Sequence, residues 1–154
     1  MKKKLLLVDG YSLFIRSFIG LMRHDFKSPD GSLTTYGVFG AYNALCYFIK
    51  EYEPTHVLVT LDHGRSKKRL EIDPSYKANR DKKHGEDKTA IDIAFTFEFK
   101  PQLSAFMELC KASRLQTVRR KDTEADDFIA NICIQYEEFF DDIIIVSSTM
   151  ICNN

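Results

Sequence analysis

Four short apolar runs recur along this chain, Leu5-Leu6-Leu7-Val8, His56–Leu61, Leu115–Val118 and Ile143–Val146, and segments with helical spacing lie between them. Alternation of that kind predicts an α/β domain, a mainly parallel sheet with helices on its faces. The way the runs end narrows the reading further. Asp9 closes the first, Asp62 closes the second, and Glu124, Asp126 and Asp127 open a helix soon after the third. Parallel strands bring their carboxyl ends to one sheet edge, where open α/β sheets take ligands. A set of carboxylate donors at that edge suits magnesium or manganese. The fourth run leads into Ser147-Ser148-Thr149-Met150 without an acid, so the acidic set reads as incomplete there.

The elements can be placed from periodicity. A first strand spans about residues 4–9, followed by a helix with Leu13, Phe14, Phe18, Leu21 and Met22 on one face. A turn is expected around Ser28–Ser32, and Thr35 is placed to cap a helix striped with Val38, Ala41, Leu45, Phe48 and Ile49. Periodicity then fails from His63 to about Thr96, a connection too long for a compact α/β unit unless it has a function of its own. Phe99, Leu103, Phe106 and Leu109 mark a further helix, and Ala125–Phe139 another. The last strand, close to the C-terminus, is expected to have a poorly covered edge and to favour association.

With 154 residues, 44% of them hydrophobic, one domain with a real core is the expectation. The 22 basic and 22 acidic residues cancel, so any attraction for nucleic acid has to be local. It is concentrated between His63 and Lys88, where nine Lys or Arg stand against five Asp or Glu. Within that segment Asp73-Pro74 can start a short helix on which Lys77 and Arg80 share a face and Tyr76 leans toward Arg80. Such a face suits phosphates and a stacked base. An ordinary solvated loop would have the same composition, but its position after Asp62 favours nucleic acid. Three carboxylates within four positions, Glu124, Asp126 and Asp127, repel one another unless cations neutralise them. One or two acids there would need no more than a helix start, with Thr123 and Asp126 as a capping box.

Cys46, Cys110, Cys133 and Cys152 show neither CxxC nor His/Cys spacing, so reduced, mostly buried thiols are expected. The apolar run after the basic N-terminus is broken by Asp9, which argues against a signal peptide, and no stretch is long enough to span a bilayer. An intracellular, cytoplasmic protein with no membrane partner is the expectation.

The segments LLLVDGYSLFIRSF, TYGVFGAYNALCYFIKEYEPTHVLVTLD, KKRLEIDPSYKANRD and TEADDFIA, in that order and spacing, resemble the 5′ nucleases. This family includes phage exonucleases, flap endonucleases and the amino-terminal nuclease domain of bacterial family A DNA polymerases. The likeness covers nearly the whole chain, and YKANR with EADD is its most specific part. It implies a PIN-like domain over residues 1–154, with a basic helical arch at about 63–96. The implied activity is metal-dependent 5′-3′ exonuclease and flap endonuclease action on DNA with 5′ ends, flaps or junctions, in replication or repair. The implied cofactor is magnesium or manganese, two ions in the complete family site.

Carried over by motif, Asp9, Asp62, Glu124, Asp126 and Asp127 correspond to metal-site acids. Lys77 and Arg80 correspond to the catalytic basic pair and Tyr76 to the arch aromatic, while Lys82, Lys83, Arg65, Lys67 and Lys68 would line the DNA path. Members of the family follow the strand resembling Ile143–Ser148 with an Asp-x-Asp motif and a helix-turn-helix element. This chain has Thr149-Met150-Ile151-Cys152-Asn153-Asn154 there, so a C-terminally truncated product, or one piece of a divided gene completed by another chain, is the expectation. The resemblance to phage enzymes admits a phage gene as its source. Two alternatives stand beside this reading: a non-catalytic nucleic-acid-binding fragment, and an unrelated magnesium-dependent phosphoryl-transfer domain.

Overall fold

The computed structural model describes residues 2–62, 71–72, 90–147 and 151–152. Strand β1 (Lys4–Asp9) leads into helix α1 (Gly10–Leu21), and α2 (Tyr36–Tyr52) leads into β2 (His56–Leu61). Helices α3 (Ala90–Phe97) and α4 (Phe99–Ala112) follow, then β3 (Gln116–Arg119), α5 (Ala125–Tyr136), β4 (Asp142–Val146) and the two-residue β5 (Ile151–Cys152). The sheet order is β3-β2-β1-β4-β5, with the first four strands parallel and β5 antiparallel to β4. The α/β architecture with a parallel sheet flanked by helices is therefore the one that the alternating pattern anticipates. β1 lies centrally, and its apolar run is buried on both faces, as a parallel strand covered from both sides should be.

The two faces are unequal. Leu6 and Val8 point into the larger core, built with Phe14 and Phe18 of α1, Leu45 of α2 and Phe106 of α4. Leu5 and Leu7 point the other way, toward Ile129 of α5. Phe18 is the point where the helices of the larger face meet. Its ring lies 5.0 Å from Tyr36 of α2, 5.1 Å from Phe95 of α3 and 5.2 Å from Phe99 of α4.

A polar network stitches the same junction. The Tyr36 hydroxyl donates to Glu98 Oε2 at 2.7 Å, the Thr34 hydroxyl donates to the same oxygen at 3.0 Å, and Gln102 Oε1 accepts from the Gly37 amide at 2.8 Å. Gln102 is fully buried, yet its amide nitrogen also finds Thr34 Oγ1 at 2.9 Å, so no polar atom there is orphaned. Burial and the Glu98 carboxylate raise the Tyr36 phenol above its ordinary range. The two helices around Glu98 are separated because Pro101 has no N–H for the carbonyl of Phe97 and its ring crowds that turn.

Several boundaries differ from the sequence expectation. The aperiodic stretch ends before Ala90: residues 90–97 form α3, whose apolar side chains at 91, 93, 94, 95 and 97 surround the helix and so leave no stripe to read. β3 begins one residue later than expected, because Arg114 turns through a left-handed conformation (φ 57°) and the Leu115 amide bonds back to Cys110. α5 stops at Tyr136 rather than Phe139, whose half-exposed ring finds a Lys3 ammonium at 4.1 Å instead of the core. The strand Ile143–Val146 is not the last, since β5 pairs with Ile145 and Val146 and covers that end of its edge. Of the three cysteines with described side chains only Cys110 is buried; Cys46 is exposed and Cys133 intermediate. Among the described residues no helix is long and apolar enough to cross a membrane.

Candidate functional site

Register decides which side chains meet at the carboxyl edge of the sheet. Asp9 pairs with Thr60 and Val8 with Val146, so Asp9 and Ser147 leave neighbouring strands at one level, and Asp62 follows two residues further along β2, beside the end of β3 where Leu61 pairs with Arg119. Asp9 caps α1, its Oδ1 accepting the Ser12 amide at 3.0 Å. The side chain is buried beneath the edge, and that burial raises its pKa. Hydrogen bonds from Ser12 and Ser147 pull in the opposite direction, while the nearby Asp126 charge adds to the rise.

Gly10 makes this placement possible. A Cβ there would collide with Val59 Cγ1 and stand 3.1 Å from the Thr60 carbonyl oxygen, so α1 starts in direct backbone contact with β2. Gly10→Ala is expected to destabilise the fold by about 1–3 kcal/mol through overpacking. Urea denaturation measures this, and an unchanged midpoint would show that β2 yields without cost.

The start of α5 is built differently from the local capping box that Thr123 and Asp126 offer as an alternative to a cation site. Glu124 is the N-cap residue, extended (φ −90°, ψ 154°) and without a side-chain cap bond, and the Thr123 hydroxyl donates to the Lys121 carbonyl at 3.3 Å. The cap comes from another strand: Asp62 Oδ1 accepts the amide of the buried Ala125 at 2.5 Å. A local box fails because the chain enters the helix from a left-handed turn at Asp122 (φ 58°). One carboxylate thus ties the end of β2 to the acids of α5. Glu124 is buried, Asp127 half-buried and Asp126 exposed.

Asp9, Asp62, Glu124, Asp126 and Asp127 therefore share one edge, as their strand-end positions implied. Among the described residues, however, no three His, Cys, Asp or Glu side chains converge closely enough to cage a cation unaided. The donor chemistry still fits a hard cation, because magnesium keeps several waters and takes only one or two carboxylates directly. Lys77, Arg80, Tyr76, Lys82, Lys83, Arg65, Lys67 and Lys68 lie outside the described residues.

Ser147 and Arg119 were not singled out from the sequence. Ser147 earns attention only through its position after the strand that pairs with β1. Arg119, whose Nε donates to the Asp62 carbonyl at 3.3 Å, is visible only through the β2–β3 register. Among the described residues two hollows lie elsewhere, one of about 440 Å³ at the amino ends of β1 and β4 around Lys4, Tyr52 and Asp142, and one of about 510 Å³ between α1 and α3 around Met22 and Ile91. Neither is lined by the carboxylates.

The family described as 5′-3′ exonuclease, N-terminal resolvase-like domain matches residues 4–149. The chain belongs to this 5′-3′ exonuclease family. DNA polymerase I of Mycobacterium bovis is 34% identical over 136 residues, which cover 88% of this chain and 14% of that protein. DNA polymerase I of Streptococcus pneumoniae is 32% identical over 148 residues, 95% of this chain and 15% of its own length. Among solved structures, the 5′-exonuclease of bacteriophage T5 with bound zinc ions has a TM-score of 0.76 at 28% identity, over 94% of this chain and 49% of that one. A bacteriophage T5 flap endonuclease in a pseudo-enzyme-product complex with DNA and metal ions has a TM-score of 0.72 at 29% identity, over 94% and 48% respectively. The exonuclease domain described here thus spans about a seventh of the polymerases and about half of the phage enzymes.

Proposed function

We propose that this chain carries a divalent-metal-dependent site for hydrolysing phosphodiester bonds in DNA near 5′ ends and flaps. The observation that carries the reading is the Asp62 cap on α5, which draws the acids of β2 and α5 to the edge where Asp9 lies. Family membership and the metal-bound, DNA-bound phage relatives support it. Asp9, Asp62, Glu124, Asp126 and Asp127 would hold the ions, directly or through water. Bound there, divalent cations activate water and stabilise the attacking and leaving oxygens of the displacement.

The protein's own residues set the rest. Asp9 and Asp62, fixed by the Ser12 and Ala125 amides, offer oxygens from rigid positions rather than from mobile side chains. In this reading Lys77 and Arg80 offset charge on the phosphoryl oxygens, Tyr76 stacks on a base, and Arg65, Lys67, Lys68, Lys82 and Lys83 follow the strand. A second reading, DNA binding without turnover, is favoured by the end of β4, which leads into Ser147-Ser148-Thr149 with no acid where the other strands supply one.

The test is cleavage of a 5′-flapped duplex in magnesium or manganese. Turnover that is lost in Asp9→Asn and on chelation supports the nuclease. Binding weakened by Lys77→Ala and Arg80→Ala, with no cleavage in either metal, selects the second reading. Cleavage that persists in chelator overturns the metal-dependent site.

A further inference from the structure

The segment Arg119-Arg120-Lys121 is a second basic run, outside residues 63–88, and it leaves the sheet at the acidic edge. Arg119 is the last residue of β3 and pairs with Leu61, so Arg120 and Asp62 emerge side by side from neighbouring strands about 4.8 Å apart. Both ends of the turn that follows are held by the same residue. The Arg119 Nε donates to the Asp62 main-chain oxygen, and the Ala125 amide donates to the Asp62 carboxylate. Arg120 and Lys121 therefore sit on a short pinned bridge. Lys121 is three residues from Glu124, which keeps their Cα atoms within about 10 Å.

The side chains on that bridge are exposed and have no hydrogen-bond or ion-pair partner among the described residues. Lys27 and Lys111, by contrast, are engaged with Asp25 and Glu108. An edge carrying five carboxylates repels every phosphate except those that cations hold. Phosphates on either side of a bound one need local positive charge if the strand is to cross the rim. The bridge supplies it on the β3 side.

We infer that Arg120 and Lys121 form an auxiliary phosphate-contact strip that takes the DNA backbone a phosphate or two from the one held at the carboxylates. This rests on the functional reading above and adds a binding surface to it. Arg119 is a positioning residue in this arrangement, since its guanidinium is spent on the Asp62 carbonyl.

Fluorescence anisotropy with a 5′-tailed DNA hairpin, at salt from about 20 to 200 mM and with calcium present, tests the inference on the 154-residue chain. The Arg120→Ala/Lys121→Ala double variant is expected to bind about 3- to 10-fold more weakly. Its slope of log affinity against log salt should be shallower by about 0.7–0.9 per residue removed. Charge reversal, Arg120→Glu/Lys121→Glu, should weaken binding further, and Lys50→Ala, on the last turn of α2, should change neither quantity. Thermal melting of each variant establishes that the fold is intact. Affinity and slope unchanged in the double variant, while wild type binds, would remove the strip and leave the nuclease reading standing. An equal loss in Lys50→Ala would reduce the effect to net charge and overturn the strip as well. Failure of the wild type to bind DNA at the lowest salt would overturn both.

Discussion

Asp62→Asn and Asp62→Ala should part company when manganese binding and stability are measured on the same proteins. Both variants remove the negative charge from the end of β2, and both should lower manganese affinity at least about tenfold in calorimetric titration. They differ in what they leave for α5. Asparagine keeps a side-chain oxygen in the place of Oδ1, so the Ala125 amide retains its acceptor and the melting temperature should stay close to wild type. Alanine removes the acceptor. The Ala125 amide is buried, and losing its cap should cost about 1–2 kcal/mol. Loss of stability in both variants alike would show that charge, not the hydrogen bond, holds the helix start. Full manganese binding by Asp62→Asn would take Asp62 out of the cation site.

The largest expected effect on folding belongs to Phe18→Ala. This ring is fully buried and is in contact with aromatic rings on α1, α2, α3 and α4. Truncation leaves a cavity that four separately anchored helices cannot easily close. A loss of about 3–5 kcal/mol is expected, a large share of the 5–15 kcal/mol typical of a whole domain. Urea titration by circular dichroism measures it. A loss below about 1 kcal/mol would mean that α3 and α4 slide inward to fill the space, with the Tyr36–Glu98 bond broken as they move.

What could be read from the chain, and what could not, divides along a physical line. β1 and β2 were legible to the residue because continuous apolar runs bounded by Asp9 and Asp62 have few alternatives to a covered parallel strand. The acidic edge was legible for the same reason, since topology alone carries strand ends together. The cap of α5 could not be read locally: Thr123 and Asp126 offer a capping box as the plainer alternative to a cation site, whereas the Ala125 amide is met by a carboxylate 63 positions earlier. Gln102 and Glu98 carry no local signal in the sequence, although one is fully buried and both bond to Thr34, just before α2. Helix α3 was missed because apolar residues crowd its whole circumference. At α5 and at Gln102 and Glu98 the deciding partner is distant in sequence, whereas at α3 the pattern itself carries no stripe.

The central position of β1 also has a consequence for how the polypeptide acquires its shape during synthesis. One side of β1 is completed by β2, but its other neighbour begins at Asp142, paired with Lys4 near the opposite end of the chain. At translation rates of about 5–20 residues per second, roughly 4–16 s pass between the appearance of Leu61 and that of Asp142. Throughout that interval Leu5, Leu6, Leu7 and Val8 present an unpaired backbone edge to whatever else is nearby. Nascent chains of this protein should consequently be clients for chaperones that shield apolar segments, and release from them should await the emergence of Ile143–Val146.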